Sequence, residues 1–216
     1  MDKITFEQLP DLFERVGALF AEKKDELCEM DAKLGDGDLG LTMSKGYAAL
    51  PDLMREEAAG AEGDIGKLLM KAGMKMSALV PSTMGFLMST GVMEGGKALK
   101  GKTELDGAGL AAYLTGFAAG VQKRGKCQAG QRTIYDAVLP AAEAAAKAVA
   151  NDPAASLAAV IDAAVKAAAE GVEATKSMVP VFGKAAVHAA QCEGVPDQGA
   201  VAGYYKMLGL SNYING

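Results

Sequence analysis

Apolar residues recur three and four positions apart through most of the chain, while alternating runs of β-branched residues are few. That spacing lays apolar side chains along one stripe of a helix, and the stripe must be buried against other helices. The expected fold class is therefore all-α, with about eight helices whose short connections favour antiparallel neighbours.

Helix boundaries follow from capping residues and prolines. Thr5 and Gln8 form a capping-box pattern with Ile4 and Leu9 as its staple, so a first helix is expected from Phe6, or from nearer Leu9 given Pro10. It continues through Leu27 and Met30 and delivers Asp31 to a turn. Asp38 is the expected cap of the next helix, which Pro51 should stop, leaving a solvated acidic loop. Asp64 caps a segment ending at Pro81, and Ser82, Thr83 and Gly85 open another through Met93. Thr103 to Asp106 precedes a buried helix through Val121, and the polar stretch from Lys123 to Thr133 reads as a solvated loop. Alanine-rich helices are expected over Ile134–Val149 and Ser156–Met178, a short one near Lys184–Gln191, and a last one after Asp197. Gly91, Gly96 and Lys97 approach a phosphate-binding loop, but Ala98 lacks the required hydroxyl, so they are expected to serve helix packing. The methionines from Met70 to Met93 are expected as core filler.

A chain of 216 residues suffices for one domain, since folding at this size buries about 70% or more of the unfolded surface. The net charge of −5 disfavours nucleic acid as a partner. Cys28, Cys127 and Cys192 have no close pair, so neither a disulfide framework nor a zinc site is expected, and a reducing cytoplasm fits. The N-terminus carries no secretory pattern, and the uncharged stretch between Asp106 and Lys123 falls short of the ~20 apolar residues that span a bilayer.

The chemistry concentrates in Asp31-Ala-Lys-Leu-Gly-Asp-Gly-Asp-Leu-Gly-Leu-Thr-Met43. Gly35, Gly37 and Gly40 allow a short turn to gather Asp31, Asp36 and Asp38, whose mutual repulsion a hard, oxygen-seeking cation such as Mg²⁺ would remove. The glycine spacing also satisfies a dinucleotide fingerprint, but carboxylates in its gaps repel phosphate and the preceding residues are helical in pattern. An EF-hand loop starting here would need glycine at Leu41 and glutamate at Tyr47. The simpler alternative is that the aspartates only cap a helix.

This run resembles the metal-binding signature of the dihydroxyacetone kinase L domain, with Leu39 where the family usually has histidine and Thr42 where it has asparagine. The resemblance implies a single nucleotide-binding L-type domain over residues 1–216, a closed barrel of eight antiparallel helices, and ADP or ATP held at one rim through two Mg²⁺ ions. Asp31, Asp36 and Asp38 would coordinate the metal, and Leu39, Gly40, Leu41 and Thr42 would line the phosphates and sugar. Ser82 and Thr83 match a phosphate-binding loop that here lacks its glycine pair. Gly120, Gly130 and Ile134 would approach the base, Lys184 would replace a nucleotide-contacting arginine, and Asp197-Gln198-Gly199 resembles an Asp-Pro-Gly that closes over the base.

Such a domain positions a phosphoryl donor and needs no catalytic base of its own. In the family the sugar is held covalently by a histidine of a separate K-type subunit, whereas His188 here lies outside every matched motif and reads as structural. The expected protein is a cytoplasmic kinase subunit, active only with a K-type partner on a small hydroxy-ketone or sugar, with a phosphotransferase-system protein as one potential phosphodonor. Leu39 and Lys184 also fit a non-catalytic Mg-nucleotide regulatory module, and a fatty-acid-kinase-like nucleotide domain shares the fold.

Overall fold

A computed structural model describes residues 2–187 and 189–216, with only the backbone of Lys184. His188 and the Lys184 side chain lie outside the described residues. Among the described residues ten α-helices follow one another: α1 (Leu9–Glu22), α2 (Lys24–Leu34), α3 (Leu39–Ala61), α4 (Ile65–Leu79), α5 (Thr83–Ala98), α6 (Gly107–Gly125), α7 (Tyr135–Asn151), α8 (Leu157–Ala174), the short α9 (Gly183–Val187) and α10 (Gln198–Ile214). A two-residue antiparallel bridge joins β1 (Ile4–Thr5) to β2 (Glu104–Leu105), pairing Ile4 with Leu105.

Five of these helices open on a side-chain cap. The side chains of Asp64, Ser82, Asp106, Ser156 and Asp197 each accept a hydrogen bond from the backbone N–H three residues on, opening α4, α5, α6, α8 and α10. Three boundary expectations are overturned. The first helix does not run unbroken to Met30: Lys23, at ψ 7°, bends the chain, and α2 starts at Lys24 on a new course that packs it against α3. Pro51 does not stop its helix, and the segment expected as a solvated acidic loop is helical to Ala61. Pro51 deprives the Tyr47 carbonyl of its helical donor, and Gly17 of α1 gives that carbonyl room, since a Cβ there would stand 2.8 Å from it. Burial of Met54 and Ala61 beyond the proline holds the continuation in place.

The long helices pack in sequence, α1 on α3, then α4, α5, α6, α7 and α8, with α10 on α8 and back on α1. One cluster of buried side chains runs through them, from Ile4 to Ile214. Gly91, Gly95 and Gly96 serve close packing, since side chains there would strike Phe117, Tyr113 and Leu69. The methionines are not uniformly core: Met76 and Met88 are buried, whereas Met70 and Met74 face solvent.

Lys206 of α10 lies wholly inside, its Nζ 4.1 Å from the Phe117 ring centroid and 4.7 Å from that of Tyr113. Among the described residues, no helix is long and apolar enough to cross a membrane.

Candidate functional site

Asp31 sits on the last turn of α2, and the chain then reverses through Gly35–Asp38 into α3. Gly37 takes φ +77°, which glycine adopts without penalty, and a Cβ on Gly35 would collide with the Asp31 carboxylate. The turn wraps that carboxylate. Asp31 Oδ2 accepts from the backbone N–H groups of Gly37 at 2.9 Å, Asp38 at 3.1 Å and Leu39 at 3.3 Å. Asp31 therefore caps α3 from the preceding helix, while Asp38, the expected cap, makes no capping bond with its side chain. Capping thus accounts for one carboxylate of the three.

Carboxylate oxygens of Asp31, Asp36 and Asp38 lie within 4.8 Å of one another, with Asp31 buried and the other two exposed. The all-oxygen donor set of three gathered carboxylates suits a hard cation such as Mg²⁺. The residues fit the implied metal.

Four further segments complete the walls of a cavity of 390 Å³, one of them Phe182, Gly183 and Ala185 at the start of α9. At the N-terminus of α5, Ser82 Oγ accepts from Gly85 N and lies 3.4 Å from Thr42 Oγ1 of α3. This end of a sixteen-residue helix presents the positive pole of its dipole to the cavity. Between α6 and α7, Asp136 accepts from Gly130 N and Thr133 N, tightening a loop that holds Arg132 at φ +57°. At the start of α10, Asp197 N donates to Thr175 Oγ1, and Gln198 Nε2 donates to Asp31 Oδ1 at 3.3 Å.

The Lys123–Thr133 stretch is not simply a solvated loop, because Arg132 is only 2% exposed. Its Nη2 donates to the Val195 carbonyl at 3.0 Å, and its Nη1 stands 3.6 Å from Asp197 Oδ1, an ion pair beyond hydrogen-bond length. Burial pushes the Asp197 carboxyl up to about 6, opposed by the Ala200 N–H and by Arg132.

Of the residues singled out in the sequence, Asp31, Asp36, Asp38, Leu39, Ser82, Thr83, Ile134, Asp197, Gln198 and Gly199 line this one cavity. The other five described residues do not. Gly40 lies against α2, where a Cβ would strike the Lys24 carbonyl. Leu41 is 56% exposed on the outer face of α3, and Thr42 reaches the site only through Ser82. Gly120 packs α6 on α5, its missing Cβ facing the Thr90 carbonyl at 2.7 Å, and Gly130, at φ +85°, shapes the loop from outside the lining. Sequence reasoning missed the lining residues Arg132, Thr133, Met84, Leu87 and Phe182. A signal for Arg132 existed, since it stands between Gly130 and the acidic Asp136, where the loop turns into a helix.

Residues 33–212 match the DAK2 domain. The chain belongs to the DAK2 domain family. It is 34% identical, over 149 residues covering 68% of each chain, to the ADP-binding subunit DhaL of PEP-dependent dihydroxyacetone kinase 2 of Listeria innocua. It is 26% identical to the corresponding Escherichia coli subunit, over 94% of this chain and 95% of that one. A D-erythrulose kinase of Mycolicibacterium smegmatis is 31% identical over 88% of this chain, which spans only 32% of that longer protein. These three relatives are kinases or kinase subunits, and this DAK2 chain is a phosphotransferase by family. In fold, a crystal structure of dihydroxyacetone kinase from C. freundii in complex with AMP-PNP and Mg²⁺ superposes with a TM-score of 0.70 over 95% of this chain and 33% of that one, at 23% identity.

Proposed function

We propose that this DAK2 chain is the nucleotide-binding L subunit of a dihydroxyacetone-type kinase, a single domain over residues 1–216 that holds ADP or ATP with Mg²⁺. It would supply the phosphoryl group to a small hydroxy-ketone or sugar on a separate K-type subunit in the cytoplasm. The carrying observation is the cluster of three carboxylates beside the α5 N-terminus at one cavity. The return of α10 onto α1 supports a closed antiparallel barrel with the site at one end. The names of the Listeria innocua and Escherichia coli relatives, both ADP-binding subunits of PEP-dependent kinases, favour a phosphotransferase-system protein as donor.

Asp31, Asp36 and Asp38 would hold Mg²⁺, which when bound neutralises phosphate charge and fixes the geometry of phosphoryl transfer. The chain's own residues do the rest. Backbone N–H groups of the turn lock Asp31, so one carboxylate of the cluster is oriented before ligand arrives. Ser82, Thr83 and the α5 dipole attract phosphate oxygens, while Leu87, Met84 and Ile134 offer apolar walls to a base.

Thermal unfolding with ADP, Mg²⁺ and both together tests this reading. At 100 times the dissociation constant, linkage gives about 2.7 kcal/mol, a rise of roughly 5 to 11 °C. The rise should need both ligands and vanish in Asp36→Asn; no rise in any condition overturns the proposal. Leu39 favours one second reading, since its buried side chain brings no polar atom to the cavity. Tight Mg-ADP binding without turnover beside any K-type subunit would make the chain a regulatory module.

A further inference from the structure

The starting observation is a contact between residues 167 positions apart, the carboxamide of Gln198 on the Asp31 carboxylate. A carboxylate only accepts, so the amide nitrogen must face Asp31 and the carbonyl oxygen must point elsewhere. That oxygen, Oε1, is buried and has no hydrogen-bond partner among the described residues. Gln198 lines the cavity, and buried carbonyl oxygens without a donor are rare enough to require an explanation.

The two halves of the carboxamide point to one role. With Oδ2 of Asp31 taken by three backbone N–H groups, Nε2 of Gln198 fixes the remaining oxygen, which belongs to the proposed cation cluster. The unpartnered Oε1 then lacks only a donor, and water on a hard divalent cation is a strong one. By sequence resemblance Gln198 stands at a proline closing over a base. We infer that Gln198 is instead a positioning residue of the cation cluster, orienting Asp31 through Nε2 and accepting from a cation-bound water through Oε1. This rests on the cation site proposed above. It ties the first residue of α10 to metal occupancy and gives this chain a polar group where proline offers none.

The test is titration with Mn²⁺, followed by electron paramagnetic resonance, on the full chain without nucleotide and with saturating ADP. Gln198→Pro removes the carboxamide at the first helical position, where proline is tolerated and the Asp197 cap remains. Gln198→Glu keeps the shape and adds charge. Loss of an outer-shell partner typically weakens a metal about 10-fold or more, so Gln198→Pro should weaken Mn²⁺ by about 10-fold. Gln198→Glu should bind Mn²⁺ more tightly while melting lower than wild type in the absence of metal, because two carboxylates then meet. Mere structural damage would move both variants in one direction, and that result, or unchanged affinity in Gln198→Pro, overturns the inference. Asp36→Asn separates the two levels. If wild type binds Mn²⁺ and Asp36→Asn does not, the cation site stands whatever Gln198 does; if wild type binds no Mn²⁺ in either condition, site and inference fall together.

Discussion

Two regions of the molecule bury charge, and they do so on opposite terms. At the cavity, Asp31, Asp136 and Asp197 are each met by backbone N–H groups at a turn or helix start. Inside the helix assembly, Lys206 has the faces of Tyr113 and Phe117 and, among the described residues, no hydrogen-bond acceptor, and the Tyr113 hydroxyl is likewise unpartnered there. Backbone amides are fixed dipoles already oriented by the helix, so a carboxylate placed on them keeps most of what it loses on leaving water. A ring quadrupole returns only about 2 kcal/mol to a desolvated ammonium. The cavity end therefore holds charge ready for a ligand, whereas the interior tolerates one at a cost.

Removing the best-matched group should do the most damage. Asp31→Ala leaves three N–H groups in a part-buried turn without their acceptor and should cost about 4.5 kcal/mol, taking each bond at the low end of the about 1.5 to 3 kcal/mol of a charged acceptor. Urea denaturation should show it, together with loss of any Mg-ADP shift. A loss below about 1 kcal/mol would mean that water replaces Asp31 and that the region is not built around it.

Arg132→Met comes next, at about 3 to 4 kcal/mol, because it leaves Asp197 buried without its cation. The pH dependence carries a sign. Asp197 titrates near 6 in the folded protein against an ordinary 3.8, so burial already makes the ionised form unfavourable, and loss of Arg132 raises it further. The variant's deficit should therefore be larger at pH 8, where Asp197 must ionise, than at pH 5, where it is largely protonated. An equal deficit at both would show that Arg132 acts only through packing and the Val195 carbonyl.

The poorly matched region should respond in the opposite direction. Lys206→Met keeps the volume and removes the charge, and should raise stability by about 2 to 3 kcal/mol at neutral pH after allowance for the lost ring contacts. Burial pushes the Lys206 ammonium from an ordinary 10.5 down to about 7. Between those values the unfolded chain holds a proton that the folded one has released. The cost of Lys206 is thus complete below pH 7, shrinks as pH rises, and is gone above about 10.5, and the gain of Lys206→Met should fade over the same window. Urea midpoints at pH 6, 8 and 10 measure it. A destabilised variant at pH 6 would mean that the aromatic faces repay the burial in full.

What could be read in the sequence was local. Asp64, Ser82 and Asp106 announce helices because a cap and its partner lie three residues apart, and the aspartate turn is visible because its glycines and carboxylates are contiguous. What escaped depends on contacts distant in the chain. Pro51 survives inside α3 because Gly17, on another helix, makes room for the carbonyl it orphans. Arg132 reads as a loop cation until Val195 and Asp197 close over it, and Gln198 reads as a helix start until it reaches Asp31. The capping role also fell on the wrong aspartate, since adjacency favoured Asp38 and only the turn geometry assigns it to Asp31.

The smallest expected effect separates local capping from the wider site. Ser82 Oγ accepts from Gly85 N and touches Thr42 Oγ1, so Ser82→Ala removes one helix cap and one weak link between α5 and α3. A lost N-cap costs about 1 kcal/mol, or roughly 2 to 4 °C in Tm at this size. If Ser82 only caps, Ser82→Ala should lower the melting temperature equally with and without Mg-ADP. If its hydroxyl also faces the phosphates of a bound nucleotide, the ligand-induced rise should shrink in addition, and Ser82→Thr should restore both quantities. Shrinkage of the rise with no change in the unliganded Tm would instead place the whole role of Ser82 in the cavity, joining α5 to the carboxylate turn as one preorganised surface.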